Sequence, residues 1–126
     1  MSNITVEQAK NLTNQEFFNR VWERAKDHRK ANNGEHGVEN CLYRAPNGLE
    51  CFIGINIPDS KYTPNMEGLK DTPGHYSIDD WFPVIFPNVN EVFARSCQRV
   101  HDSHSCVSWS DYLKDIAERY NLTVPD

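Results

Sequence analysis

The stretch Thr13-Asn-Gln-Glu-Phe-Phe-Asn-Arg-Val-Trp-Glu-Arg-Ala25 decides the fold class. Thr13 and Glu16 stand at the spacing of a capping box, in which hydroxyl and carboxylate each accept a backbone N–H. Leu12 and Phe17 flank that cap as a hydrophobic staple. Phe17, Phe18, Val21, Trp22 and Ala25 then fall on one stripe at period 3.6, with Arg20, Glu23, Lys26, Asp27 and Lys30 on the other side. The pattern predicts an amphipathic helix running toward Asn32-Asn33-Gly34, where left-handed backbone is tolerated. A short helical turn over Val6 to Lys10 precedes it.

The C-terminal end repeats this grammar. Ser108-Trp-Ser-Asp111 reads as a second capping box, with Val107 and Tyr112 as its staple. Trp109, Tyr112, Leu113, Ile116, Ala117 and Tyr120 follow at helical spacing, and Asn121 and Pro125 end the run. A third helix is expected from Asn88, with Glu91 at the capping-box position and Val89, Val92, Phe93, Ser96 and Val100 on its apolar face. Ser77 can cap a short helix reaching Phe82, and Pro83 and Pro87 interrupt the apolar run Trp81-Phe-Pro-Val-Ile-Phe-Pro87. That run reads as core lining, or else as a docking patch.

The middle of the chain is different. Cys41-Leu-Tyr-Arg44 and Leu49-Glu-Cys-Phe52 flank Ala-Pro-Asn-Gly48, which reads as a hairpin turn. Cys51-Phe-Ile-Gly-Ile-Asn-Ile57 fits either a strand or a buried helical turn. Residues 58–76, with three prolines and two glycines, read as loop. The expected fold is therefore mainly α: one compact helical domain over residues 1–126, with one small β-hairpin near residues 41–52.

Composition narrows the function. The chain has 126 residues, a net charge of −5 and 25% charged residues. Such a balance argues against a general nucleic-acid binder, which would carry a basic stripe. No apolar run approaches the ~20 residues of a membrane span. The first ten residues lack the basic start and apolar middle of a signal peptide, so a cytoplasmic location is expected. In a reducing cytosol the four cysteines are expected to be free thiols.

Two constellations could carry chemistry. Cys97, His101 and His104 share a helical strip about 60° wide, but match no established zinc module, so no metal is assigned. The other is a thiol pair: Cys51 as nucleophile, His101 as base and Asp102 to orient it. Adjacent residues on a helix diverge by about 100°, which makes Asp102 an awkward partner for His101. Asp59, Glu67, Asp71, Asp79 and Asp80 form no fixed pair. Walker, GxGxxG, GxSxG and HExxH signatures are missing, and no cofactor is expected. Tyr43, Arg44, Asp59, Glu67 and Trp81 are the candidate binding residues, since tyrosine, tryptophan and arginine are favoured at interfaces.

The run Cys41-Leu-Tyr-Arg-Ala-Pro-Asn-Gly-Leu-Glu-Cys51-Phe-Ile-Gly54, followed by Ile57-Pro-Asp59, Tyr62 and Met66-Glu-Gly68, resembles a family of small bacteriophage- and prophage-encoded proteins of unknown function. Members typically read Cys-x-Tyr-Arg-x-Pro-x-Gly-x-x-Cys-Ala-x-Gly, then Ile-Pro-Asp and Met-Glu-Gly, then Leu-Gln-x-x-His-Asp before a closing helix with tryptophan. Here the last part is Cys97-Gln98-Arg-Val-His101-Asp102, with Trp109 in the closing helix. Cys97 stands where the pattern has leucine, which argues that it is core, and Phe52 replaces a small residue. The resemblance implies that Cys41, Tyr43, Arg44, Cys51, Gly54, Asp59, His101 and Asp102 form one cluster in a protein of the bacterial cytoplasm. The expected function is a phage-type accessory protein that binds a host macromolecule, most simply a protein, and interferes with a host process or defence system. The alternative is a thiol- or metal-dependent enzyme centred on Cys51 and His101.

Overall fold

The computed structural model describes residues 4–29, 42–45, 48–67, 74 and 76–125. Five α-helices carry the described chain: α1 (Val6–Asn11), α2 (Asn14–Ala25), α3 (Ile78–Ile85), α4 (Glu91–Ser103) and α5 (Trp109–Arg119). The fold is mainly helical, as the residue patterns require. All five helices contribute buried side chains to one apolar cluster.

Local caps start the first two helices. Thr5 and Gln8 close a capping box on α1, and Thr13 and Glu16 close the expected one on α2, with Thr13 Oγ1 accepting Glu16 N–H at 3.1 Å. Leu12 and Phe17 of the staple are both buried. The expected end of α2 near Asn32-Asn33-Gly34 lies outside the described residues. Phe17 is the hub of the core: its ring meets Phe82, Phe86 and Phe93 edge-on, with centroids 5.5–6.3 Å apart. One aromatic side chain thus joins α2 to α3, to the residue that ends α3, and to α4.

Two starts differ from expectation. α4 is capped by Asn90, not Asn88; Asn90 Oδ1 accepts Phe93 N–H at 3.1 Å. Asn88 lies in the preceding turn and donates to the Lys10 carbonyl instead. Within the helix Val92 faces outward, whereas Ala94, Cys97 and His101 join Phe93 and Val100 in the core. At α5, the Ser108 side chain makes no capping bond, because a 3₁₀ turn over Cys106–Ser108 runs straight into the helix. Val107, expected as a staple, is 76% exposed.

α3 runs through Pro83 rather than stopping at Phe82. Pro83 forfeits one backbone bond near the end of an eight-residue helix. Burial of Trp81, Phe82, Ile85 and Phe86 offsets that loss. The apolar run is therefore core lining, with Pro83, Val84 and Pro87 its exposed side chains.

The expected hairpin is reduced to one antiparallel bridge, Arg44 with Glu50; no strand forms among the described residues. Ala45 N–H donates to Leu49 O at 2.9 Å and Cys51 N–H to Tyr43 O at 3.3 Å. Beyond Cys51 the chain leaves the ladder for a turn and a 3₁₀ helix, Gly54–Asn56. The physical reason is burial: Cys51, Phe52, Ile53 and Ile57 are all fully enclosed, and an extended strand would turn half of them to solvent. A second 3₁₀ helix, Pro64–Glu67, occupies part of the expected loop.

Gly54 is fixed by close approach. A Cβ there would sit 2.1 Å from the Tyr43 carbonyl oxygen, a backbone atom with no freedom to yield. Gly54→Ala should therefore cost about 3 kcal/mol or more in urea unfolding. Gly48, at φ +84° with open space around it, supplies the comparison. Gly48→Ala should cost only about 1–2 kcal/mol, the strain of a left-handed non-glycine residue. Equal losses at the two positions would refute the steric reading.

Candidate functional site

Glu67 organises the motif residues of the middle segment. Its carboxylate accepts Tyr43 N–H at 2.8 Å, Arg44 N–H at 3.0 Å and the Tyr62 hydroxyl at 2.7 Å. These three bonds tie the bridge segment to the second 3₁₀ helix. Burial, then the bond to Glu67, pushes the Tyr62 phenol up from its ordinary range. Arg44 extends the clamp: it donates to Ile57 O at 2.9 Å, pairs with Asp59 Oδ1 at 2.7 Å and lies 4.8 Å over the Tyr62 ring. Tyr43, Arg44, Asp59 and Glu67, expected as binding residues, are thus brought together. Their bonded groups hold one another. Trp81, the fifth, is fully buried edge-on against Tyr43 at 5.4 Å and presents no surface. Cys41 and Asp71 lie outside the described residues.

The second cluster joins the 51–57 turn to α4. Gln98 Oε1 accepts Ile53 N–H at 2.9 Å, and Gln98 Nε2 donates to Asp102 Oδ1 at 2.8 Å. The same Asp102 oxygen lies 2.8 Å from His101 Nδ1. Asp102 therefore does partner the histidine beside it, contrary to the helical divergence argument. The reason is Gln98, four residues earlier on the same face, which draws the carboxylate back along α4. His101 is fully buried, stacked on Trp109 and edge-on to Phe52, each at 5.2 Å. It is a core side chain rather than a boundary one.

Cys51 is fully enclosed, and its Sγ accepts Gly54 N–H at 3.3 Å. Burial raises its pKa well above the ordinary thiol range; the backbone N–H groups of Gly54 and Ile53 offset only part. A nucleophile or metal ligand needs the thiolate, which this setting disfavours. Cys97 is also enclosed, and burial pushes its thiol up to about 12. His104 leaves the expected Cys97/His101/His104 strip to stack on Tyr112 at 3.7 Å. Among the described residues no group of three or more His, Cys, Asp or Glu side chains is placed to hold a metal.

Beside these clusters lies an open cleft of about 270 Å³, with walls from Tyr43, Ile53, Ile78, Gln98, Arg99 and Asp102. Arg95 also lines it and pairs with Asp79 at 3.2 Å and Glu91 at 3.4 Å. Residues that sequence reasoning did not single out dominate the interior lattice. Arg20 donates to Asn56 Oδ1 at 2.6 Å and Ile55 O at 2.9 Å. The buried Arg24 donates to the carbonyls of Glu50, Asp27 and Arg29 and lies 5.9 Å over Trp109. One signal for Gln98 was available, its i, i+4 spacing to Asp102. None was available for Arg24, whose carbonyl partners lie in loops.

The chain matches no family model, no curated protein and no solved structure. Among the described residues no helix is long and apolar enough to cross a membrane.

Two outcomes follow from the site. In site-resolved alkylation of the native protein, Cys106, which is only partly buried, should label well before Cys51 and Cys97, whose labelling should wait for opening of the core. Fast labelling at Cys51 would contradict its enclosure. Glu67→Gln removes the charge behind three hydrogen bonds and should cost about 1–3 kcal/mol in urea unfolding, and the Tyr62 phenol should titrate at lower pH in the variant when followed by NMR.

Proposed function

We propose that the chain is a small accessory protein of bacteriophage or prophage type that binds a host protein in the bacterial cytoplasm. The motif resemblance supports the phage setting, and with it interference with a host process or defence system. One observation carries the binding reading: the open cleft holds polar side-chain capacity that the fold does not use. Among the described residues neither the Tyr43 hydroxyl nor the Arg99 guanidinium has a hydrogen bond or ion pair, and both residues line that concavity. By contrast Arg20, Arg24 and Glu67 spend their polar atoms inside the fold. A concave wall with a few convergent, unsatisfied polar groups over apolar side chains is the usual form of a recognition site. The docking-patch reading of the Trp81–Phe86 run falls away, since that run is core.

The second reading is a Cys/His enzyme centred on Cys51 and His101. The His101–Asp102 pair favours it, as the orienting half of a catalytic triad. It also requires a thiolate at Cys51, and the enclosed sulfur is held toward the neutral thiol.

The test uses the tagged full chain as bait in bacterial lysate, with Arg99→Glu and Lys114→Glu as variants of equal charge change. Arg99 lines the cleft, whereas Lys114 is exposed on α5. The wild type and Lys114→Glu should retain a common host protein that Arg99→Glu loses. Retention of no protein above a tag-only control would overturn the binding reading.

A further inference from the structure

The donors of the cleft outnumber its acceptors. Arg99 offers up to five N–H donors, and the Tyr43 hydroxyl offers one more. Arg95 adds a second guanidinium to the lining, although Asp79 and Glu91 already offset its charge. The acceptor side is Asp102, whose Oδ1 is taken by Gln98 and His101. Arg99 is thus the one charge on the cleft wall that no carboxylate pairs with among the described residues. Ile53 and Ile78 supply apolar wall.

From this we infer that the cleft receives a glutamate side chain of the protein partner, its carboxylate on Arg99 and the Tyr43 hydroxyl and its methylene stem along Ile53 and Ile78. A carboxylate matches the single uncompensated cation and can take two parallel N–H bonds from a guanidinium. A phosphate dianion would bring a second negative charge beside Asp102, where like charges repel. The apolar wall gives the methylenes of glutamate a contact that a bare anion would not use. The inference rests on the host-protein reading, because it names the chemistry by which that partner is held.

The probe is N-acetyl-L-glutamate α-amide, titrated into the labelled full-length protein and followed by NMR. Its glutamine analogue, identical in shape and uncharged, is the control. The glutamate probe should give saturable shifts clustered at Tyr43, at the Ile53 amide and at the Gln98 side-chain amide, and the glutamine analogue should not. Arg99→Ala should weaken binding about tenfold or more, the loss expected for one charge-assisted pair. Tyr43→Phe should weaken it less. Both variants should keep the wild-type melting temperature within a few degrees, since neither removed polar group has a hydrogen-bond or ion-pair partner among the described residues. Equal shifts from the glutamine analogue, shifts centred away from the cleft, or unchanged affinity in Arg99→Ala would each overturn the inference. Failure here, with a host protein still captured from lysate, removes the glutamate and leaves host binding standing. A bound probe with no captured host protein does the reverse.

Discussion

The fold depends on burying a segment that has no regular ladder of its own. Residues 51–57 lie at the centre of the apolar cluster, with Cys51, Phe52, Ile53 and Ile57 at zero exposure. Their side chains favour that position, but their backbone does not. A buried N–H or C=O without a partner costs about 1–3 kcal/mol, and this segment supplies few partners from within. The 3₁₀ turn satisfies some, as Ile55 N–H to Cys51 O and Ile57 N–H to Gly54 O. The rest come from side chains on the surrounding helices. Arg20 of α2 takes Ile55 O, Arg24 takes Glu50 O just before the segment, and Gln98 of α4 takes Ile53 N–H. Arg44 takes Ile57 O. The helices are therefore polar scaffolding for the turn as well as walls of the core.

This explains which parts of the structure were legible in the sequence. Helices announce themselves locally: a capping box at Thr13 and a 3.6-residue stripe need no knowledge of what lies opposite. The helical class, α2 and α5 follow from such signals. Local signals misled where a neighbouring turn intervened. Asn88 has the chemistry of a cap, but Asn90 takes the role once Pro87-Asn88 have formed their own turn. Ser108 has it too, yet the 3₁₀ turn ahead supplies the geometry instead. The turn at 51–57 was left between strand and helix because its conformation is set by long-range partners. No pattern in the sequence tells Arg24, which feeds three carbonyls, from the solvated arginines around it.

The motif residues of the site divide in the same way. Tyr43, Arg44, Asp59 and Glu67, singled out as binding residues, do meet in space. Their role was not readable from residue type. Arginine, tyrosine and carboxylates are also what interfaces use. Here the Glu67 carboxylate is consumed by two backbone N–H groups and a phenol, which is structural work. Cys51 and His101 illustrate the same point. Thiol, imidazole and carboxylate have the composition of a catalytic set, but full enclosure against Phe52 and Trp109 makes the first two core side chains.

Gln98 and Asp102 stand on the boundary between that lattice and the solvent. Each has one end in the interior, on Ile53 and His101, and each also forms wall of the cleft. Tyr43 does the same: its backbone is held by Glu67 and its carbonyl abuts Gly54, while its ring reaches the cleft. The cleft is thus rigid on the side that faces the core, because moving its wall would break bonds that satisfy buried backbone. Rigidity of that kind lowers the entropy lost when a ligand is held. Arg99, on the exposed face of α4, has no such anchor and is free to reorient toward whatever enters. A preformed polar wall with one exposed arginine beside it on the same helix is a combination suited to recognising a partner's side chain. It arises here as a consequence of the same hydrogen bonds that hold the central turn in place.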